Sequence, residues 1–123
     1  MLIADLYTVE EITIVDSVQT AKVRLNPASN LFKGHFPDNP VTPGVCMLQI
    51  IKELTEQRVG VPLFMKKASN VKFMAVINPK KHPDLLITNS FTDSEEEIKV
   101  KNTFMYGDTI ALKVIVTFEK LYL

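Results

Sequence analysis

Apolar and polar residues alternate with a period of two along most of this chain, and one stretch breaks the rule. In "LYTVEEITIVDSVQTAKVRL", Ala21, Val23 and Leu25 alternate with Lys22 and Arg24 among β-branched neighbours. Successive strand positions point to opposite faces, so this segment predicts one or two half-buried strands. The pattern returns in "ASNVKFMAVI", "DLLITNSFT", "EIKVKNTFMY" and "TIALKVIVTFEK", separated by the turn-forming "NPKKHP", "DSE" and "YGD". Between the two groups, Asn26 to Thr42 holds Pro, Asn, Gly and Asp at the density of an ordered loop. A helix follows from Pro43 to Val59. Pro suits the first helical position, Thr42 is placed to cap it, and Gly60 and Pro62 stop it.

That helix is the exception to the alternation. Val45, Met47, Leu48, Ile50, Ile51 and Leu54 cover most of its circumference, leaving a narrow polar arc of Gln49, Lys52, Glu53 and Glu56. A helix apolar on nearly all sides must be wrapped. The chain therefore predicts an α+β fold: one long central helix wrapped by a curved antiparallel β-sheet of roughly five or six strands. Such a sheet has open edges, and pairing with a second copy is the natural remedy. No internal repeat, linker or low-complexity segment divides the chain, so residues 1–123 read as one domain.

Composition narrows the function. With 123 residues and 46% hydrophobic content, the chain is long enough for a real core. Fourteen basic and 14 acidic residues balance, which argues against nucleic acid as a partner. The single Cys46 cannot form an internal disulfide. Beside the helix start its thiol is open to a lowered pKa; the alternative is a buried core cysteine. No basic-then-apolar leader opens the sequence, and no apolar run approaches the ~20 residues of a membrane span, so the cytoplasm is expected. There is no metal-ligand cluster, phosphate loop or dinucleotide fingerprint, hence no cofactor is implied. His82, in "KKHPD", reads as a surface turn residue.

The chemistry concentrates in "GHFPDNPVTPGVCMLQIIKEL", Gly34 to Leu54. Its His35-Phe36-Pro37-x-x-Pro40-x-x-Pro43-Gly44-Val45 resembles the signature of the β-hydroxyacyl-(acyl carrier protein) dehydratases of fatty-acid synthesis, which have the hotdog fold. "LFKG" before the histidine and "VKF" after the helix extend the likeness, and the element order fits along about the whole chain. The N-terminus lacks the family's proline- and histidine-containing opening. "NPKKHPDLL" replaces its usual proline-glycine-aspartate turn.

The resemblance implies dehydration of a 3-hydroxyacyl thioester. This reaction needs a base for the C2 proton, an acid for the departing C3 hydroxyl, and donors for the charge growing on the thioester oxygen. By resemblance His35 is the base, held stiffly by the prolines, and the Gly44 N–H at the helix start is the donor. Phe32, Phe36, Pro43 and Val45 are implied to meet the acyl chain. The family's acid lies fourteen residues after the histidine, and here that position is Gln49. An amide can donate a hydrogen bond but has no proton to give near neutral pH.

Three replacements stay open. Glu53 lies one turn on as a surrogate acid, His35 can return its own proton through a water, or a related subunit supplies a carboxylate. In the family each site draws its histidine and its acid from opposite subunits. The implied partners are an acyl carrier protein or another acyl thioester, and a second subunit in a homodimer, a higher assembly or a heterodimer. Lys33, Lys66, Lys67, Lys80 and Lys81 are the candidates for meeting an acidic carrier. A non-catalytic partner subunit that binds acyl chains, and a hotdog thioesterase, are the alternative functions.

Overall fold

Six strands and one long helix carry the architecture in the computed structural model, which describes residues 5–33 and 40–122. His35 and Phe36 lie outside the described residues, as does the side chain of Lys33. The elements are β1 (Tyr7–Val15), β2 (Val18–Leu25), α1 (Asn30–Lys33), α2 (Gly44–Val59), β3 (Leu63–Phe73), β4 (Asp84–Asp93), β5 (Glu97–Tyr106) and β6 (Thr109–Lys120). All six strands join one antiparallel sheet in the order β1-β2-β4-β5-β6-β3. With α2 on one face of a curved sheet, this is the hotdog arrangement.

The alternation works as read. In β5, Ile98, Val100, Asn102 and Phe104 are buried beneath α2, while Lys99 and Lys101 point outward. Cys46, Met47, Ile50, Ile51 and Leu54 of α2 join them in the core, with Val23, Ile87, Val116 and Phe118 from the neighbouring strands. Burying such a stripe is what holds a helix to a sheet, at roughly 1.5–3 kcal/mol per large side chain.

Five expectations need correction. The helix is not covered on all its apolar sides: the sheet packs on one flank and leaves Val45 60% exposed. Pro43 is the N-cap residue with extended backbone rather than the first helical residue. Thr42 does not cap the helix, and its hydroxyl is buried with no hydrogen-bond partner. The third strand begins at Leu63 and ends at Phe73, earlier at both ends than "ASNVKFMAVI", and a short helix, α1, interrupts the loop before Thr42. Leu63 starts the strand because the Glu56 carboxylate accepts its N–H at 2.8 Å, just after Gly60 ends α2 at φ 78°. That left-handed conformation suits glycine.

A ladder of buried amides fixes how α2 lies. Gln19, Asn89 and Asn102 stand directly opposite one another on β2, β4 and β5. The Gln19 Nε2 donates to the Leu54 carbonyl of α2 at 3.1 Å. Asn89 Nδ2 donates to Gln19 Oε1 at 2.9 Å, and Asn102 Nδ2 to Asn89 Oδ1 at 2.7 Å. A carbonyl can only accept, so Leu54 sets the direction of all three amides. The Oδ1 of Asn102 is then left without a partner.

Removing the middle rung should expose the ladder's worth. Asn89→Ala strands a buried acceptor on Gln19 and a buried donor on Asn102, a loss of about 2–4 kcal/mol in urea unfolding. A loss below about 1 kcal/mol would mean that the ladder does not hold the helix.

Candidate active site

Two short segments meet at the start of α2. The Thr42 N–H donates to the Ile77 carbonyl at 2.9 Å, tying residues 41–44 to the stretch that leaves β3. Between them lies an apolar groove of about 450 Å³ lined by Val41, Pro43, Gly44, Met47, Phe73 and Val76, among others. The Pro43 carbonyl accepts from Cys46 at 3.0 Å and from Met47 at 3.3 Å. The N–H groups of Gly44 and Val45 precede these bonds and find no backbone acceptor among the described residues. They are the free donors expected at a helix start, where the dipole also favours negative charge. A Cβ at Gly44 would lie 2.7 Å from Phe73 Cζ, so a side chain there would have to displace the exposed Phe73 ring into the groove.

A second polar group sits further along the helix. Gln49 Nε2 donates to Glu53 Oε2 at 2.8 Å. The other Glu53 oxygen accepts from the Tyr7 hydroxyl on β1 at 2.7 Å. A carboxylate only accepts, so the pairing fixes the amide's orientation, with nitrogen toward Glu53 and Oε1 away from it. Burial first, and then the Glu53 carboxylate, push the Tyr7 phenol well above its ordinary range, so it stays protonated at physiological pH. Helix geometry puts Gln49 about 140° round the axis from Gly44 and ~7.5 Å along it. Neither Gln49 nor Glu53 lines the groove at Gly44.

The residues named from sequence therefore fall into separate places. Gly44 and Pro43 line the groove, and Val45 projects beside it, exposed. Gln49 and Glu53 are joined. Phe32 is 3% exposed and packs in the core from α1. Cys46 is also core, and burial raises its thiol pKa instead of the helix start lowering it. His82 is exposed as expected, with its ring stacked on Tyr106 at 4.1 Å. Of the lysines, Lys66 is paired with Glu97 at 2.6 Å, and Lys67 is exposed. Tyr7 was not legible as a site residue. Its sequence context is a strand opening, and only the sheet brings it 46 positions along the chain to Glu53.

Comparison with known proteins agrees with the fold and the motif. The ApeI-like family, described as the ApeI dehydratase, matches residues 12–111. A 3-hydroxyacyl-[acyl-carrier-protein] dehydratase FabZ from Lactobacillus helveticus is 29% identical over 108 residues, covering 82% of this chain and 71% of the relative. The FabZ of Pediococcus pentosaceus is 26% identical over 113 residues, covering 82% and 70%. Among solved structures, the dehydratase heterocomplex ApeI:P from Xenorhabdus doucetiae superposes with a TM-score of 0.76 at 16% identity, over 92% of this chain and 97% of that one. A mutant thioesterase from Pseudomonas aeruginosa shares the fold at a TM-score of 0.68 and 10% identity, over 95% and 82%. The family match spans most of the chain and includes the Pro43-Gly44-Val45 helix start and Gln49. This dehydratase-like hotdog protein belongs to the ApeI-like dehydratase family.

Proposed function

We propose that this chain is a hydro-lyase that dehydrates 3-hydroxyacyl thioesters presented by an acyl carrier protein in the cytoplasm. The observation that carries the reading is the groove at Gly44: an apolar channel ending at free helix N–H groups, in a chain of a dehydratase family. In this reading His35 removes the C2 proton while the Gly44 N–H holds the thioester oxygen. The C3–O bond then breaks, and the departing hydroxide must gain a proton to leave as water. Glu53 is poorly placed to supply it, because both its oxygens already accept hydrogen bonds. The histidine therefore returns the proton it took, and Gln49 orients the leaving hydroxyl.

The site is best completed by a second copy. Gln49 and Gly44 face different sides of α2, as a site shared between two chains requires. Strand β3 is a sheet edge, and Phe73, Met74 and Val76 beside it are each more than half exposed. Uncovered apolar edges of this kind suit self-pairing. One observation favours a second reading, a non-catalytic subunit paired with a related chain. The Gln49–Glu53 bond gives the acid's position a fixed amide with no proton to donate.

Gln49→Glu separates these readings. The new carboxylate would stand beside Glu53, and two carboxylates at hydrogen-bonding distance share a proton, which raises one of them toward neutral pH. Enoyl-thioester formation should rise on the order of 10²-fold, and His35→Ala should abolish it in both backgrounds. No turnover by the wild type or by Gln49→Glu would leave the non-catalytic subunit as the function.

Gly44→Ala tests the groove. Ala is the better helix former and Phe73, 59% exposed, has room to swing away, so stability should change by less than about 1 kcal/mol. Activity should nonetheless fall at least about tenfold, because the displaced ring closes on the thioester position. Adding Phe73→Ala should restore part of it. An active, unperturbed Gly44→Ala enzyme would place the thioester elsewhere.

A further inference from the structure

Of the three groups joined beside α2, Gln49 and Glu53 belong to the helix itself, and Tyr7 comes from β1 at one edge of the sheet. The opening of this edge strand is nonetheless anchored on both sides of Tyr7. Before it, Leu6 is buried in the core and its carbonyl accepts from the Asn26 N–H at 2.8 Å. The Asn26 Nδ2 also donates to the Asp5 carbonyl at 2.9 Å. After it, β1 pairs with β2, Tyr7 standing opposite Leu25. A tyrosine side chain has only two torsions, so a fixed backbone gives a nearly fixed hydroxyl, whereas a glutamate has far more freedom to lose.

Glu53 does not hold its place through the helix alone. A side-chain pair four residues apart on a helix is worth less than the thermal energy. No cation fixes it either: among the described residues Glu53 forms no ion pair, and its two bonds come from neutral donors, Tyr7 and Gln49. The Tyr7 hydroxyl stays a donor because burial, and then the carboxylate, oppose its ionisation. With one Glu53 oxygen held by Tyr7, the other faces Gln49. The amide cannot turn over there, since its oxygen would then meet a carboxylate oxygen at 2.8 Å, acceptor against acceptor. Gln49 Oε1 itself accepts no hydrogen bond among the described residues.

We propose that Tyr7 is a positioning residue: through Glu53 it commits Gln49 to presenting an acceptor oxygen, which makes this half of the site select acyl chains with a hydroxyl at C3. The inference rests on the reading that Gln49 meets the 3-hydroxyl. A fixed acceptor can bond a hydroxyl, but beside a saturated chain it is left unpaired. The same orientation suits the proposed reaction. A 3-hydroxyl that donates its hydrogen to Gln49 keeps its own lone pairs open. One of them can take the proton returned by His35 as the C3–O bond breaks and water leaves.

The test compares binding of 3-hydroxyoctanoyl pantetheine and octanoyl pantetheine to the full chain carrying His35→Ala, which keeps the hydroxy ligand intact. It needs no turnover, so a wild-type chain that fails to dehydrate while the variant binds selectively would refute the proposed reaction and keep this inference. The hydroxy thioester should bind about fivefold tighter or more, the effect of one hydrogen bond. Adding Tyr7→Phe should bring that ratio below about twofold, and so should Glu53→Gln. Both together should do no more than either, because they break one chain of contacts. If Tyr7 merely braced β1, both ligands would weaken equally and the ratio would stand. Four results would overturn the inference: no binding of either thioester, no preference before Tyr7→Phe, a preference that survives it, or partial losses from Tyr7→Phe and Glu53→Gln that add in the double variant.

Discussion

One hydrogen bond settles where the helix lies, the one from the Gln19 amide to the Leu54 carbonyl. Hydrophobic burial holds α2 to the sheet, but burial is non-directional and would tolerate sliding or rotation. A buried amide tied to a helix carbonyl does not, because losing it strands polar groups away from water. Asn89 and Asn102 brace Gln19 from the neighbouring strands. With Leu54 pinned, Glu53 faces the Tyr7 hydroxyl at one flank of the helix, and Gly44 meets Phe73 at its start. The ladder thus places both halves of the candidate site without touching either.

Charge is used differently at two points along the helix. Around Gly44 the described surroundings are apolar, and the helix-start N–H groups, which find no backbone acceptor among the described residues, supply partial positive charge that suits an oxygen acquiring negative charge. Around Gln49 a full carboxylate is already present and satisfied by two donors. A group so occupied orients its neighbours more readily than it moves protons. In the proposed reading Glu53 is a positioning residue, which fixes the Gln49 amide through the bond between them.

Much of this was legible in the chain. The period-two runs became strands, Gly60 ended the helix in the left-handed conformation, and the His35–Val45 motif pointed to the family that the ApeI-like match shows. The misreadings have physical causes. Val45 counted as one more apolar residue on the helix, yet a sheet can cover only one flank and leaves it exposed. Cys46 was open to either a lowered or a raised pKa from its position alone, and the depth of the core decides. Pro43 and Thr42 each carried the local signal of a helix start. The tie from Thr42 to Ile77 fixes the backbone there and puts Pro43 at the cap. Tyr7 could not be found, because no local pattern announces a partner across the sheet. His35 and Phe36 rest on the motif, since they lie outside the described residues.

The central claim is that one chain brings the histidine and the Gly44 groove while another brings Gln49 with its Glu53 support. Complementation between two inactive variants measures this directly. His35→Ala removes the base, and Gln49→Arg fills the opposite half of the site with a bulky cation. Each variant alone should be inactive. Unfolded together and refolded as a mixture, half the dimers carry one variant of each kind, and one of their two sites is intact. The mixture should recover about a quarter of the wild-type dehydration rate per chain. If differently tagged copies co-purify as mixed dimers and the mixture stays inactive, the site is not shared between copies of this chain.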